Sequence, residues 1–142
     1  MKIILTMLLA LVPLSATRAD ILISNPYIRA TPPVVPNSAA FMRLSNTGNA
    51  PVFLTSANTS AAKNSEIHAH ENTDGVMKMH LIEKLEIPAR SAVHLEPGGL
   101  HLMIFDLKQP LMPGMTIPMV LNFSDGTSHK LRLPVMNISL GE

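Results

Sequence analysis

The sequence predicts an all-β domain, folded as a sandwich or a barrel. From Asp20 onward, no stretch shows the apolar spacing of an amphipathic helix. Short apolar or alternating runs instead recur at intervals of about ten residues, separated by Pro, Gly and Asn, as is typical of sandwiches and barrels. The chain has 142 residues, 46% of them hydrophobic, which is enough to enclose one buried core.

Each predicted strand is bounded by a turn signal. In chain order the strands are residues 21–30, 39–46, 52–57, 65–70, 76–82, 92–95, 100–105, 117–123 and 128–136. The turns between them contain Pro, which cannot donate to a neighbouring strand, and Gly or Asn, which accept positive φ angles. The pairs Asp74-Gly75 and Asp125-Gly126 favour tight hairpins. Alternation along residues 128–136 predicts one packed face and one solvated face.

Residues 1–19 have the anatomy of a secretory signal peptide. Lys2 precedes an apolar run at residues 3–14, and small residues lead to a cleavage site after Ala19. The run is about a dozen residues long, whereas a membrane-spanning helix needs roughly 20. We therefore expect export to the periplasm, no membrane span after signal cleavage, and a single mature domain at residues 20–142.

Charge and cysteine content exclude several classes of protein. The formal charge of +1 becomes −1 once Lys2 and Arg18 leave with the signal, and no Lys/Arg run remains, so no nucleic-acid partner is expected. The chain has no Cys, which excludes thiolate zinc sites, iron–sulfur clusters, blue-copper centres and thiol nucleophiles. Any metal site must therefore use His, Met or carboxylate ligands.

Histidine and methionine are concentrated in three runs, Glu66-Ile67-His68-Ala69-His70, Val76-Met77-Lys78-Met79-His80 and Leu100-His101-Leu102-Met103. Residues two apart on a strand share a face, so His68 and His70 point together, as do His101 and Met103. A four-residue loop between the first two runs places His68 opposite Met79, and a two-residue Asp74-Gly75 turn places His70 there instead. Either loop puts both imidazoles on the face of Met79, whereas an odd-length loop would not.

These side chains favour a soft metal ion. Thioether sulfur binds Ca²⁺ or Mg²⁺ negligibly, and no cluster of carboxylates accompanies it. Two imidazoles with two thioethers suit Cu(I), whose filled d shell makes no strong geometric demand. Thioethers also remain usable in an oxidising compartment because they form no disulfides.

The spacing of these residues resembles the motif H-x10-M-x21-H-x-M of the periplasmic copper chaperone family PCuAC. Its four positions fall on His68, Met79, His101 and Met103. With six His and ten Met in 142 residues, chance would give such a match in roughly one chain in a thousand. The resemblance extends over about residues 21–135, and includes Asn25-Pro26-Tyr27-Ile28-Arg29 and Pro97-Gly98-Gly99.

The resemblance implies a cupredoxin-like Greek-key β-barrel that is not an enzyme. It implies one Cu(I) per chain, held by His68, Met79, His101 and Met103 and delivered by ligand exchange to the dinuclear copper centre of cytochrome c oxidase. The implied acceptor is oxidase subunit II or a Sco-type thioredoxin-fold protein, and we expect a monomer. His70 lies outside the motif and is expected to be an accessory ligand. Many members carry a His- and Met-rich tail that adds Cu(II) capacity; residues 137–142 contain neither His nor Met, so we expect no tail-based second site.

Two other functions remain open at this stage. His68, His70 and His101 would make a three-histidine zinc site that activates water, with Glu66 as the base. A metal-free sandwich serving as an interaction module is the other alternative. Of the remaining residues, we expect His80, His94 and His129 to be surface imidazoles. Met112, Met115 and Met119 form either ordinary packing or an exposed thioether patch, and packing is expected.

Overall fold

The computed structural model describes residues 20–138, and this part of the chain consists of strands and loops without a helix. The ten strands are β1 Ile21–Arg29, β2 Ser38–Asn46, β3 Val52–Asn58, β4 Ala62–Thr73, β5 Val76–Ile82, β6 Leu85–Ile87, β7 Ser91–Leu95, β8 His101–Leu107, β9 Thr116–Phe123 and β10 Ser128–Met136. The all-β prediction is therefore confirmed. The predicted signal peptide and its cleavage site at Ala19 lie outside the described residues.

The strands follow one continuous hydrogen-bonded path, in the order β5-β4-β8-β2-β1-β10-β9-β3-β6, with β7 added alongside β2. The pairing of β1 with β10 is parallel, and the other pairings are antiparallel. β1 therefore joins two halves of the fold, because it pairs with β2 on one side and β10 on the other.

Apolar side chains from both halves meet in one core. Ala40 and Leu102 from the β2/β8 half and Leu54, Leu121 and Leu133 from the other half are all fully buried in the same cluster. Because side chains alternate along a strand, the residues next to Leu102 and Ile67 point to the opposite face of the sheet. That opposite face carries the histidines.

Two elements differ from the sequence prediction by three residues or more, and the bounds of the other strands agree to within two residues. β6 was not predicted, because three residues are too few to show an alternation; Leu85 and Ile87 are buried where β6 pairs with β3. β4 extends to Thr73, beyond the predicted end at His70, because the tight turn at Asp74-Gly75 lets the ladder continue to Thr73 and Val76. No helix within residues 20–138 is long and apolar enough to cross a membrane.

Candidate metal centre

The histidine and methionine runs lie side by side on β5, β4 and β8. Asp74 and Gly75 have φ angles of 54° and 78°, as a two-residue hairpin turn requires. The register therefore places His70 opposite Met79, the second of the two arrangements expected from the sequence. On the other side of β4, His68 lies directly opposite His101 of β8. The structure thus brings all the predicted ligand strands together.

His101 is held in one tautomer by a backbone contact. Its side chain is buried, with 4% of its surface exposed, and Nδ1 donates a hydrogen bond of 3.0 Å to the Gly99 carbonyl. In the neutral imidazole Nε2 then carries a lone pair, and it lies 3.2 Å from Met79 Sδ. Two electron-pair donors therefore face each other with no proton between them, which is an arrangement that a cation would stabilise.

The neutral form of His101 is favoured by its surroundings. Burial lowers the pKa of His101 below its ordinary value of 6.5, and the charges of His70, His68 and Arg29 lower this pKa further. The hydrogen bond to Gly99 acts in the opposite direction, and the burial effect is larger. Because a metal binds only unprotonated imidazole, the lowered pKa keeps His101 ready to bind one.

His68 is oriented by a carboxylate. Its Nε2 donates to Glu66 Oε2 at 2.7 Å, and its Nδ1 is buried without a hydrogen-bond partner. The carboxylate fixes the tautomer in which Nδ1 carries the lone pair, as the outer carboxylates of histidine metal sites do. Glu66 therefore contacts a candidate ligand directly and orients its ring.

His70 lies outside the motif, but its ring is closer to that of His101 than the ring of His68 is. Its ring centroid is 5.0 Å from that of His101, compared with 6.0 Å for His68. Its Nδ1 is also buried without a hydrogen-bond partner. A cavity of about 160 Å³ is lined by His70, Met79, His101 and Met103 together, whereas His68 is not part of its lining.

The donor set fits a soft cation. Within residues 20–138, no three His, Asp or Glu side chains are arranged to hold a metal ion, and the donors that share the cavity are the imidazoles of His70 and His101 with the thioethers of Met79 and Met103. With zinc-like bond lengths of about 2.0 Å to N and 2.3 Å to S, a tetrahedral ion would separate these atoms by about 3.5 Å. The observed 3.2 Å between His101 Nε2 and Met79 Sδ is close to that value.

Arg29 lies in the cavity wall, although the sequence did not indicate a functional role for it. It comes from β1, beyond β2, and it lines the same cavity as His70 and His101. Its guanidinium lies over the Phe41 ring, 5.6 Å from the centroid. No local pattern near Arg29 indicates this position, because the contact depends on β1 pairing with β2.

The other histidines and methionines lie away from this cavity. His80 and His94 are exposed, as predicted, and His129 packs edge-on against Phe123 at 5.2 Å. Met119 is fully buried and Met115 packs against the core, so packing explains these two, whereas the Met112 side chain is 55% exposed.

The family model described as "Putative lipoprotein LpqE-like" matches residues 21–135. The chain belongs to the LpqE-like family. A curated relative, "Putative lipoprotein Lxx21020" of Leifsonia xyli subsp. xyli, is 37% identical over 103 residues, 72% of this chain and 62% of that protein. An uncharacterized protein of Rickettsia prowazekii is 31% identical over 72% of this chain and 58% of its own length. The chain thus spans about 60% of the length of these curated relatives.

Solved structures of PCuAC domains share the LpqE-like fold. The copper-bound PCuAC domain from PmoF2 has a TM-score of 0.72 at 19% identity, covering 83% of this chain and 93% of that one. The solution structure of CuI-DR1885 from Deinococcus radiodurans has a TM-score of 0.63 at 29% identity, covering 87% and 80%. The resemblance to PCuAC and the cupredoxin-like fold are confirmed.

Proposed function

We propose that this protein is an exported copper chaperone that binds one Cu(I) in its His/Met cavity and passes it to a thiolate-bearing acceptor. The observation that carries the proposal is the approach of His101 Nε2 to Met79 Sδ at 3.2 Å while Nδ1 of the same ring donates to the Gly99 carbonyl. The similarity to the copper-bound PCuAC domain from PmoF2 and to the CuI form of DR1885 supports the choice of metal.

The ligands in this proposal are His68 Nδ1, His101 Nε2 and the sulfur atoms of Met79 and Met103, with His70 as an accessory ligand. Both imidazoles of the main set are held in the tautomer that presents a lone pair, by Glu66 and by Gly99. Neutral nitrogen and soft thioether sulfur prefer Cu(I) over hard cations. The protein would bind and release the ion without altering a covalent bond, so we propose no enzymatic activity.

Release to the acceptor depends on the position of Met79. This side chain is 47% exposed on β5, a strand at the end of the sheet path, so an incoming ligand can reach a metal bound beside it. A thiolate is charged and softer than a thioether, and copper therefore moves toward it by ligand exchange. The acceptors we propose are the dinuclear copper site of cytochrome c oxidase subunit II or a Sco-type thioredoxin-fold protein. We propose that this chain acts as a monomer and that the transfer takes place in the periplasm.

Competitive titration with a Cu(I) chelator tests the binding site. The double variant Met79→Ala/Met103→Ala should bind Cu(I) at least about tenfold more weakly, since even changes outside the ligand set cost that much. His68→Gln and His70→Gln should each weaken binding, because each removes an unpartnered Nδ1. Met112→Ala is the matched control, because Met112 is 55% exposed and lies outside the cavity.

Two results would contradict the proposal. One is an unchanged Cu(I) affinity in the double methionine variant. The other is stoichiometric retention of Zn²⁺ with no preference for Cu(I), which would favour the three-histidine zinc site. Mixing the Cu(I)-loaded protein with the soluble copper domain of oxidase subunit II tests the acceptor, and copper should appear on that domain.

A further inference from the structure

Arg29 brings a positive charge without a negative partner to the wall of the metal cavity. Its side chain is partly buried, its Nε has no hydrogen-bond partner, and its guanidinium lies over the face of Phe41. Among the described residues, the ion pairs are formed by His68 with Glu66 and by His80 with Glu71, and neither includes Arg29. No acidic side chain among the described residues therefore neutralises this guanidinium, although Arg29 lines the cavity.

This charge does not serve metal affinity. A guanidinium cannot act as a metal ligand, and it repels any cation bound beside His101. The same repulsion contributes to the lowered pKa of His101. The carboxylate that would attract a cation, Glu66, contacts His68 at 2.7 Å, and Glu66 does not line the cavity that Arg29 lines. The two ends of the site thus carry opposite charges.

We infer that Arg29 is an anion-recognition residue that binds the thiolate of the incoming copper acceptor. The inference rests on the proposed function. The acceptor's cysteine loses its proton to solvent, and its sulfur enters beside Arg29. A bond forms between this sulfur and Cu(I) while the bond to the Met79 thioether breaks. No electron is transferred, and Arg29 compensates the negative charge of the thiolate until the copper has left.

The lining of the cavity favours a thiolate over a carboxylate or a phosphate. Met79, Met103, Phe41 and Pro97 provide thioether and apolar surface around the single guanidinium. A weakly hydrated soft anion loses less free energy on entering such a lining than a strongly hydrated oxyanion does. The volume of about 160 Å³ suits one side chain rather than a larger group.

Transfer kinetics with two acceptors test this role. The Cu(I)-loaded protein is mixed either with a peptide containing two cysteines or with the neutral diimine 2,9-dimethyl-1,10-phenanthroline, and the new copper bonds are followed by stopped-flow absorbance. In Arg29→Gln the ratio of the thiolate rate to the diimine rate should fall by about threefold or more at low salt. Arg29→Lys, which keeps the charge, should retain most of the ratio, and added salt should lower the ratio in the wild type.

Arg43→Gln is the matched control. Arg43 lies two residues beyond Phe41 on the same face of β2, but it is exposed and outside the cavity, so its loss should leave the ratio unchanged. The role of Arg29 would be overturned if the ratio of the thiolate rate to the diimine rate were equal in Arg29→Gln and wild type. It would also be overturned if added salt did not change this ratio in the wild type. If the wild type fails to bind Cu(I) in the chelator titration, the proposed function itself fails, and the two failures are thereby distinguished.

Discussion

At the scale of single residues, the site depends on which nitrogen of each imidazole carries the proton. The Gly99 carbonyl and the Glu66 carboxylate can only accept hydrogen bonds, so each determines the tautomer of the histidine that contacts it. The nitrogens left with lone pairs are His101 Nε2, beside Met79 Sδ, and His68 Nδ1, buried without a partner. In the proposed function, these two lone pairs are in place before the metal arrives.

Replacing Glu66 should weaken metal binding without removing a ligand. In Glu66→Gln the side chain keeps its shape, but the amide no longer fixes the tautomer of His68 by charge, and we expect a loss of Cu(I) affinity of about tenfold. Nitrogen NMR of His68 in the apo protein should show mixed tautomers. Glu71→Gln is the control, because this exposed carboxylate on the same strand lies 3.8 Å from His80 rather than beside a ligand. Equal affinities of the two variants would refute the role of Glu66.

The lowered pKa of His101 predicts a loss of stability in acid. Above its ordinary value of 6.5, His101 is neutral in both the folded and the unfolded chain. Below that pH the unfolded chain takes up the proton first, so the free energy of unfolding decreases until the pH falls below the folded pKa. The groups that oppose protonation are His68 and His70 on β4 and Arg29 on β1.

Urea unfolding of the apo protein between about pH 7 and pH 5 checks this dependence. His101→Asn should show a flatter decline than the wild type, whereas His94→Asn, which changes an exposed imidazole on β7, should leave the decline unchanged. An identical decline in His101→Asn and wild type would mean that His101 does not cause it.

At the scale of elements, the hairpin of β4 and β5 decides where Met79 points. The turn at Asp74-Gly75 has positive φ at both residues, and Asn72 Oδ1 accepts the Gly75 N–H at 3.0 Å. This two-residue turn sets the register in which Met79 lies opposite His70. The sequence predicted the shared face for either even loop, but it left open which histidine would oppose Met79.

Gly75→Ala should destabilise the protein through this turn. An L-residue at φ +78° is strained by about 1 to 2 kcal/mol, although the position has open space around a new Cβ. Gly99→Ala is the control, because its Cβ would lie 3.6 Å from Glu96 Cγ, an ordinary contact, at a position without positive φ. This control should leave the free energy of unfolding unchanged or raise it by up to about 1 kcal/mol. Urea unfolding measures both, and equal effects would contradict the expectation.

At the scale of the whole molecule, one outer face of the sheet carries the site while the other face of the same strands forms the core. Ile67 and Leu102 are buried, and their neighbours His68 and His101 face the metal cavity side. Binding at this face should therefore be coupled to global unfolding, since the ligands come from β4, β5 and β8 and are brought together only by the fold.

Cu(I) should stabilise the folded protein. At a free concentration of about 100 times the dissociation constant, a ligand that binds only the folded state adds about 2.7 kcal/mol. Thermal and urea unfolding under anaerobic conditions, with Cu(I) buffered by a chelator, measure this gain, and excess chelator should reverse it. Met79→Ala/Met103→Ala should gain about 1.4 kcal/mol or less at the same free Cu(I), because its affinity is at least about tenfold lower. No gain in the wild type would show that the cavity does not bind the ion.

The sequence by itself determined the all-β class, most strand positions, and the sharing of one face by His68 and His70 and by His101 and Met103. These follow from local rules, because alternation along a strand and turn chemistry involve residues that are close in sequence. The short strand β6 was not predicted, because three residues are too few to show an alternation of apolar and polar side chains.

Only the tertiary structure decided which strands are neighbours. Pairings between distant segments place His101 against Met79 and His70 beside His101. They also place Arg29 of β1 in the wall of the same cavity. Those pairings are favoured because they bury the apolar side chains of both halves of the sheet in one core. The spacing of residues within one strand does not show which distant strands will share that core. The candidate donor atoms were thus predicted from the sequence, whereas the position of Arg29 beside them depends on the fold.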